Sequence, residues 1–423
     1  MNTAFYSGLS GLSAYASALN IVGNNLANLN TVGFKTSEMS FEDLVTRTFG
    51  GVSTNGAGNP MQVGLGTFSN SISGIFSQGS IQSTSDGTNV ALEGNGFFIV
   101  GDSAEDRFYT RAGNFFFNDE GSLINPGGKY VLGYTTKDAN NNIVPSGALS
   151  VISLPANTVS APAASTFFQI FSNLDVRSAV GTVYSASTTI YDSKGAAHTI
   201  TMEFTHQAPV GGNDTWGYRA LIPGADVTGG TAGTDFPLAN GTISFDGTGT
   251  IVGGADVVIN IPVFTNGANA MALNWDLVDD LGVARVTGYP IPSTTSATNT
   301  DGYPPGNLTS VLVDQNGILQ GVFDNGQVEQ MAQLAVAQFN NPKGLIRTGH
   351  NLYGETNGSG TPAIGSANTG GRGSVLGSAV ESSNVDMATE FTRMLVFERG
   401  YQANSKTITT SDTIIQTAIS LVR

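Results

Sequence analysis

Few side chains in this sequence could act in acid–base or nucleophilic chemistry, and they form no familiar catalytic pattern. The histidines are His198, His206 and His350, and histidine is the side chain that most often moves protons near neutral pH. His198 and His206 lie on or beside a predicted strand, which indicates solvated side chains or side chains at the edge of a core. The sequence has no G-x-S-x-G elbow, no phosphate-binding loop, and no G-x-G-x-x-G between a strand and a helix. We therefore predict that the protein is not an enzyme. A β-rich glycosidase with two converging carboxylates in a deep cleft stays open as the alternative.

Acidic residues, asparagines and glycines cluster in four short stretches that resemble calcium loops at first sight. The stretches are residues 118–121, 192–195, 314–317 and 324–326. A calcium loop of the EF-hand type needs alternating carboxylates and a closing glutamate, and none of the four has both. Asp and Asn begin turns and Gly takes positive φ, so these stretches predict hairpin turns instead. The chain has no cysteine, which excludes disulfides and thiolate metal sites. We predict neither a metal site nor a cofactor.

The elements around these turns follow a period of two, which is the period of a half-buried strand. The alternation of apolar with polar or small residues is clearest near residues 200–204, 216–222 and 273–277. The apolar positions are Ile200, Met202, Phe204, Trp216, Tyr218, Ala220, Ile222, Leu273, Trp275 and Leu277. The middle of the chain is therefore predicted to consist of β-strands joined by hairpin turns.

The two ends of the chain follow the heptad pattern of amphipathic helices, with apolar residues at alternating steps of four and three. The N-terminal positions are Phe5, Leu9, Leu12, Ala16, Leu19 and Leu26. The C-terminal positions are Met387, Phe391, Met394, Tyr401, Ile408, Ile415, Ile419 and Val422. We predict that the second helix runs from Asn384 to Val422, with Ser382 or Ser383 as its N-cap. One interpretation is an intramolecular helix pair. The other adds the same helices of neighbouring subunits, and such contacts can build a filament.

A run of asparagines closes the first helical pattern. Four of the seven residues 24–30 are asparagine, namely Asn24, Asn25, Asn28 and Asn30, which is a poor composition for a helix interior. Asparagine side chains bond to nearby backbone groups and so favour caps and turns, and Gly33 can adopt the left-handed conformation. We predict that the helix ends here and that an irregular connector follows.

Composition and charge argue against nucleic acid as a partner, against a membrane span and against a secretory signal. The chain has 423 residues, of which 12% are charged, with a net charge of −15 and no basic patch, so nucleic acid is not an expected partner. No apolar run approaches the roughly 18–20 residues of a membrane span. The first basic residue is Lys35, which follows the apolar stretch, whereas a secretory signal begins with positive charge. If the protein leaves the cytoplasm, we expect it to use another route.

Four segments rich in glycine, proline, serine or asparagine divide the chain. Residues 50–66 and 354–374 are predicted to be loops or connectors, and residues 155–166 and 290–306 are predicted to be linkers. From these boundaries we predict three domains: a terminal helical domain with its connector (1–70 and 365–423), an inner β domain (71–145 and 301–364), and an outer β domain inserted into it (146–300).

Several stretches resemble one family in its own order along the chain. SGLSGLSAYASALNIVGNNLANLNTVGFK (7–35) resembles the N-terminal signature of bacterial flagellar rod and hook proteins. GNGFFIV (94–100), YTRAGNFFFNDEGSL (109–123) and DGYPPGNLTSVLVDQNGILQGVFDNGQ (301–327) resemble their first β domain. ESSNVDMATEFTRMLVFERGYQANSKTITTSDTIIQTAISLV (381–422) resembles their C-terminal helix signature.

The resemblance implies a mixed fold. An α-helical coiled-coil terminal domain is formed by both chain ends, and two mainly antiparallel β domains follow, the outer one inserted into the inner one. It implies that the helical core positions Phe5, Leu9, Leu12, Leu19, Leu26, Met387, Phe391, Met394, Tyr401, Ile408, Ile415 and Ile419 form an assembly interface. Asn24, Asn25, Asn28 and Gly33 would then form the connector at the end of the first helix.

The resemblance also implies a function and partners. The long insert favours the hook members of the family, whose subunits polymerise into the flexible tube that transmits torque from rod to filament. A distal rod component is the alternative, and a surface-layer or adhesin protein is a more distant one. The implied partners are identical subunits, rod proteins at the proximal end, hook–filament junction proteins at the distal end, the hook cap and the flagellar export machinery. The implied location is the extracellular flagellum, reached without a cleavable signal peptide, with export information in the first 30 to 50 residues.

Overall fold

The computed structural model describes residues 2–49, 61–155, 157–253, 256–279 and 282–421. Most of the regular structure is strand, and one long helix lies at each end of the chain. The described residues fall into two compact units. The first draws on Met1–Ala156, Ser310–Val322 and Val328–Arg423, and the second on Asn157–Thr309 and Phe323–Gln327.

The two helices are α1 (Asn2–Ala27) and α2 (Met387–Ser420). Up to residue 155 the strands are β1 (Ser37–Asp43), β2 (Thr46–Phe49), β3 (Met61–Gly64), β4 (Thr67–Gly74), β5 (Ile81–Ser83), β6 (Val90–Glu93), β7 (Phe97–Gly101), β8 (Phe108–Thr110), β9 (Phe116–Phe117), β10 (Leu123–Ile124), β11 (Tyr130–Tyr134) and β12 (Ser150–Val151). From residue 157 to 313 they are β13 (Val159–Ser160), β14 (Phe167–Asn173), β15 (Val183–Tyr191), β16 (Ala197–Val210), β17 (Asn213–Pro223), β18 (Asp235–Phe245), β19 (Ile251–Val252), β20 (Val257–Ile261), β21 (Met271–Trp275), β22 (Val286–Thr287), β23 (Thr294–Thr300) and β24 (Gly306–Val313). Beyond residue 313 they are β25 (Ile318–Phe323), β26 (Val328–Leu334), β27 (Val336–Gln338), β28 (Ile346–Gly349), β29 (Leu352–Gly354), β30 (Ala363–Gly365), β31 (Ser374–Gly377) and β32 (Ala379–Glu381), with a 3-10 turn at Pro342–Gly344.

The first unit is organised around β7, whose five residues are all buried. Because successive side chains of a strand point to opposite faces, β7 supplies two cores. Phe98 and Val100 pack into one cluster with residues such as Leu92. Phe97 and Ile99 pack into the other, which also contains the aromatic residue Phe339. The run FFIV is apolar throughout for this reason, as in strands that are covered on both faces.

The second unit contains two five-stranded sheets around one core. One sheet is antiparallel in the order β15–β16–β17–β18–β19, and the other contains β20, β21, β14, β22 and β23. The period of two predicted from the sequence is confirmed: Ile200, Met202 and Phe204 are fully buried along β16, and Trp216 and Trp275 are fully buried on β17 and β21. The prediction missed two pairings, because β14 runs parallel to β21 and to β22.

The four predicted hairpin turns are confirmed. Gly121, Gly195, Gly317 and Gly326 all have φ between 75° and 81°, where a residue with a β-carbon is strained. In the first of these turns the Gly121 N–H donates to the Asn118 carbonyl at 2.9 Å.

Parts of the predicted linkers and loops are paired strands, so those predictions were wrong. Within the segment predicted as a loop over residues 50–66, β3 pairs with β2, while residues 50–60 lie outside the described residues. Within the predicted linker 290–306, β23 pairs with β14 over Thr294–Thr300. The composition of TTSATNT is typical of a polar linker, but threonine, with its branched Cβ, favours strands.

The start of the second helix also differs from the prediction. α2 begins at Met387, and its N-cap is Asp386, whose side chain accepts a hydrogen bond from the Thr389 N–H at 2.7 Å. Asn384 is not helical because its side chain is used elsewhere: it accepts from the Thr36 N–H at 2.8 Å and donates to the Ile75 carbonyl. The predicted end at Val422 lies outside the described residues.

Candidate assembly surface

The helices α1 and α2 pack side by side and run antiparallel. Gly8 of α1 lies against Ile408, where a Cβ would sit 3.3 Å from the Ile408 Cγ1 atom. Towards the other end of α1, the Asn25 side chain donates to Glu390 at 3.1 Å. Residue numbers therefore rise along one helix as they fall along the other. In this register the residues of α2 beyond about 413 have no α1 residue opposite them.

Small side chains form the seam between the two helices. Gly11 lies so close to α2 that a Cβ would meet the Asn404 side chain at 2.6 Å, and the Gly400 backbone approaches the Tyr15 ring in the same way. Such positions let two helix backbones approach closely. On α1 the close contacts with α2 are made at Gly8 and Gly11 and by the Tyr15 ring, and Ala14, Ala18 and Val22 are buried further along the same helix.

The predicted heptad positions of α1 lie beside this seam rather than in it. Leu9 is 46% exposed, and the other five, namely Phe5, Leu12, Ala16, Leu19 and Leu26, are half-buried. The heptad leucines are therefore not fully buried in the single chain, and their apolar surface stays partly open.

A β-hairpin formed by β1 and β4 packs on both helices. The rings of Tyr15, Phe41 and Phe397 form a triangle with centroid separations of 5.5, 6.0 and 6.1 Å. Met39 is buried against Ala14 and Ala18. The hairpin thus covers one side of the helix pair, while the rest of α2 is left open.

Helix α2 exposes most of its apolar side chains. Its one buried residue among those that the structure describes is Glu390. Met394, Tyr401, Ile408 and Ile415 of the predicted interface are half-buried. Its exposed large apolar residues are Met387, Phe391, Leu395, Val396, Ile414, Ile419 and, just beyond the helix, Leu421. Ile419 is 63% exposed and Leu421 81%. Apolar surface of this extent marks a site of interaction with another molecule.

The threonines of α2 bond to their own helix. The hydroxyls of Thr407, Thr410, Thr413 and Thr417 each donate to the carbonyl four residues earlier, at 2.8 to 3.1 Å. These side chains therefore satisfy their polar atoms without a partner molecule.

The predicted connector residues surround the end of α1. The Asn28 side chain donates to the Asn24 carbonyl at 2.9 Å, which satisfies a carbonyl in the last turn of the helix. Gly33 has φ of 68°, and a Cβ there would meet the backbone nitrogen of Ala112 at 2.4 Å. Both the positive φ and the close approach therefore require glycine.

Asn25 lies within the last turn of α1 and is fully buried. Its side chain exchanges two hydrogen bonds with the backbone of Ser37, at 2.8 and 2.9 Å, and donates to the Glu390 carboxylate. Glu390 also accepts from Arg393, which in turn binds Glu38. These contacts join the end of α1, the start of β1 and the first turn of α2. Only a local role could be predicted for Asn25, because no spacing rule connects positions so far apart in the chain.

A buried ion cluster joins the same two chain ends to the β-structure. The Glu381 carboxylate accepts from Lys35 at 2.6 Å and from Arg111 at 2.9 Å, and all three side chains are buried. The Gly79 N–H and the Ser77 carbonyl complete the bonding of Glu381 and Lys35. Burial lowers the pKa of Lys35 from its usual range, and the Glu381 carboxylate opposes that shift. Sequence reasoning missed this cluster. The one available signal was the isolated basic residue Lys35 after a stretch without basic residues.

The two histidines on strands, His198 and His206, are buried, so they are not solvated and only the second part of the expectation, a position at the edge of the core, agrees with the structure. His198 lies between Asp192 and Asp226, with ring nitrogens 3.1 and 3.0 Å from their carboxylates. Burial alone would raise the pKa of Asp192, but hydrogen bonds from Asn266, His198 and the backbone hold that pKa at about 2. His206 stacks on Trp216 with centroids 4.7 Å apart. Each pair stabilises the core of the second unit.

The described residues were also searched for metal sites and for membrane-spanning helices. They contain no cluster of histidine and acidic residues arranged to hold a metal ion. Crossing a membrane would require a helix both long and apolar enough, and the described part of the chain has none.

The chain matches four family descriptions along its length. Residues 5–35 match "Flagella basal body rod protein", and residues 91–166 match "Flagellar hook protein FlgE/F/G D1 domain". Residues 170–303 match "Flagellar basal body protein FlaE D2 domain", and residues 376–421 match "Flagellar basal body rod FlgEFG protein C-terminal".

Full-length relatives carry one name. The flagellar hook protein FlgE of Treponema pallidum is 33% identical over 469 residues and covers 100% of both chains. That of Escherichia coli K12 is 32% identical over 431 residues and covers 99% of this chain and 100% of its own. Among solved structures, the Helicobacter pylori flagellar hook protein FlgE2 aligns with 70% of this chain and 98% of its own, with a TM-score of 0.49 and 17% identity. On the strength of the two end-to-end sequence matches, the chain belongs to the flagellar hook protein FlgE family.

Proposed function

We propose that the protein is the structural subunit of the flagellar hook and polymerises into a flexible helical tube that transmits torque from rod to filament. The observation that carries the proposal is the open apolar surface of the helix pair. Met387, Phe391, Ile414 and Ile419 of α2 are about half exposed or more. Neighbouring copies of α1 and α2 would cover them. Contacts that repeat head to tail without closing generate a helical polymer.

The proposal extends to the domain arrangement. The terminal domain (1–70 and 365–423) would form the tube core through the heptad positions, the inner β domain (71–145 and 301–364) would surround it, and residues 146–300 would form an inserted outer domain. In support of the insertion, the chain enters and leaves the second unit side by side: Val159 pairs with Asn307, and Ala163 with Tyr303. The outer domain would contact its neighbours through polar surfaces that can slide as the tube bends.

Imaging of the purified polymer tests this function. Electron micrographs of the assembled protein should show a tube that is curved in solution, because a joint between rod and filament has to bend. A straight, stiff tube would favour the rod component instead. Protein that stays monomeric at every concentration would contradict a polymer subunit of either kind.

We further propose that the subunit is exported by the flagellar export machinery without cleavage, and that it meets rod proteins, the hook–filament junction proteins and the hook cap on the extracellular flagellum. The match of residues 5–35 to the family described as "Flagella basal body rod protein" supports a flagellar export route. A fusion of residues 1–50 to a cytosolic reporter should leave flagellated cells and stay inside cells that lack the export machinery. Equal retention in both strains would place the export information elsewhere.

A further inference from the structure

A polar cluster lies where the two terminal helices meet β1, and it consists of Asn25, Ser37, Glu390 and Arg393. Asn25 and Glu390 are both buried, at 0% and 2% exposure. Each hydrogen-bonding atom of the Asn25 amide has a partner in this cluster, and Glu390 accepts from Asn25 at 3.1 Å and from Arg393 at 3.2 Å. A buried carboxylate that loses such partners is costly. The hydrogen bonds of the buried Asn25 and Glu390 side chains are therefore all made when α1 and α2 are aligned as observed.

The rest of the contact between the helices consists of packing. Gly8 and Gly11 of α1 lie against Ile408 and Asn404 of α2, and the Tyr15 ring lies over Gly400. Residues three or four positions apart share a face of a helix, so packing contacts of this kind can be remade after a shift of one helical turn. A buried polar pair, in contrast, selects a single register.

We propose that the Asn25–Glu390 hydrogen bond sets the register in which α1 packs on α2. Asn25 is anchored to the β-structure by its two bonds with the Ser37 backbone, so it presents a fixed donor to α2. The acceptor for this donor is Glu390, in the first turn of α2. A one-turn shift would carry Glu390 away from Asn25 and leave its carboxylate short of a donor in a buried site. Asn25 and Glu390 act here as positioning residues, and the proposal holds whether or not the chain is assembled.

Disulfide trapping can report the register directly, since the chain has no cysteine of its own. A Cβ at residue 11 would lie 2.8 Å from the Asn404 Cγ atom, so the pair Gly11→Cys/Asn404→Cys is within disulfide reach in the observed register. The pair Gly11→Cys/Ile408→Cys lies one helical turn away and reports the shifted register. Both pairs are placed in the full-length protein, and the rate of oxidation is followed for each.

Three variants of one helix are compared in both cysteine backgrounds. Glu390→Leu removes the acceptor and leaves the Asn25–Ser37 bonds in place. Glu390→Gln keeps an acceptor oxygen, and Glu398→Leu makes the same change at an exposed position of α2. In the parent, in Glu390→Gln and in Glu398→Leu, the shifted pair should oxidise at least about tenfold more slowly than the native pair. In Glu390→Leu the two rates should become similar.

Two results would overturn the inference. If the Glu390→Leu protein still forms the native pair alone, the register is set by other contacts, namely the fit of Tyr15 over Gly400 and the bonds that hold Asn384 and Glu381 just before α2. If it forms neither pair, the helices have separated, and the cluster is needed for docking rather than for register. The two tryptophans lie in the second unit, so their unchanged fluorescence verifies that this unit stays folded in every variant.

Discussion

Glu381 shows how a single residue can hold three distant parts of one chain. It receives hydrogen bonds from Lys35, Arg111 and the Gly79 N–H, and it is fully buried. None of these groups could be buried alone without a large loss of hydration energy. The connector after α1, the strand region near Arg111 and the strand before α2 therefore have to become ordered together.

Removal of one cation should destabilise the first unit strongly. In Lys35→Met, Glu381 keeps Arg111 but loses its closest charged partner, and removal of one member of a buried ion pair costs about 3–5 kcal/mol. Far-UV circular dichroism during urea unfolding should show an earlier transition for the first unit. Fluorescence of Trp216 and Trp275, the chain's two tryptophans, should report an unchanged transition for the second unit.

The matched control is Lys129→Met. Lys129 pairs with Asp102 at the surface, where the Asp102 side chain is 61% exposed, and such pairs contribute about 0–1 kcal/mol. Equal shifts for the two variants would mean that the Glu381 cluster is no more important to stability than an exposed ion pair.

The sequence could predict residues whose role is local, and it could not predict residues whose partners are distant. Gly121 and Gly33 follow from backbone conformation alone, because a turn or a left-handed position needs glycine wherever it occurs. Asn25 was predicted to cap the helix, yet its bonds reach Ser37 and Glu390. Glu390 is 365 positions away, and a single sequence holds no periodic signal that connects them.

For the two helices, too, the sequence pattern predicted the elements but not the residues that join them. The heptad pattern correctly indicated a helix at each end, but it picked the large apolar residues as the seam. On α1 the observed contact uses Gly8 and Gly11, because small residues let the backbones approach, and on α2 it includes Ile408 of the predicted positions. Leu9 and Ile419, which the pattern selected, are exposed in the single chain. A heptad count cannot tell a contact within one chain from a contact between copies.

A charge at the end of α2 should separate folding from assembly. Ile419 is 63% exposed, so Ile419→Asp should leave the single chain as stable as before. In the proposed polymer the side chain would be covered, and a buried unpaired charge costs several kcal/mol. We expect the concentration needed for assembly, measured by sedimentation, to rise at least about 100-fold.

Val183→Asp is the control, because Val183 is also an exposed apolar residue, at 54%, but lies in the second unit and outside the helices proposed to form the tube core. It should change the assembly concentration much less. Leu12→Asp and Ile415→Asp should block assembly as well, although both positions are half-buried in the single chain and so also affect the subunit itself. Normal assembly of Ile419→Asp would remove the end of α2 from the interface.

At the scale of the whole molecule, most of the second unit can be deleted without separating the two chain segments that flank it. Its entering and leaving segments are paired at Ala163 and Tyr303, so residues 164–302 can be replaced by Asn-Gly, which favours a two-residue hairpin turn. The shortened chain should still polymerise, because α1, α2 and the heptad positions remain. Its tubes should be straighter than those of the full-length protein in electron micrographs, since the contacts proposed to stabilise the bent form are missing.

Two outcomes would contradict this expectation. Tubes with unchanged curvature would show that the outer domain does not shape the bend. Complete loss of assembly, with the remaining unit still folded by circular dichroism, would make the outer domain a polymerisation element.

The bonded threonines of α2 alter what a neighbouring molecule meets at this surface. Thr407, Thr410, Thr413 and Thr417 commit their hydroxyls to carbonyls of their own helix. Threonine and valine have almost the same shape, and a threonine bonded in this way presents mainly its γ-methyl group. Hydropathy scales score each of these residues as a free alcohol. The outer surface of α2 is therefore less polar than its composition suggests. Fewer hydrogen bonds between the helix and water are broken when that surface is covered.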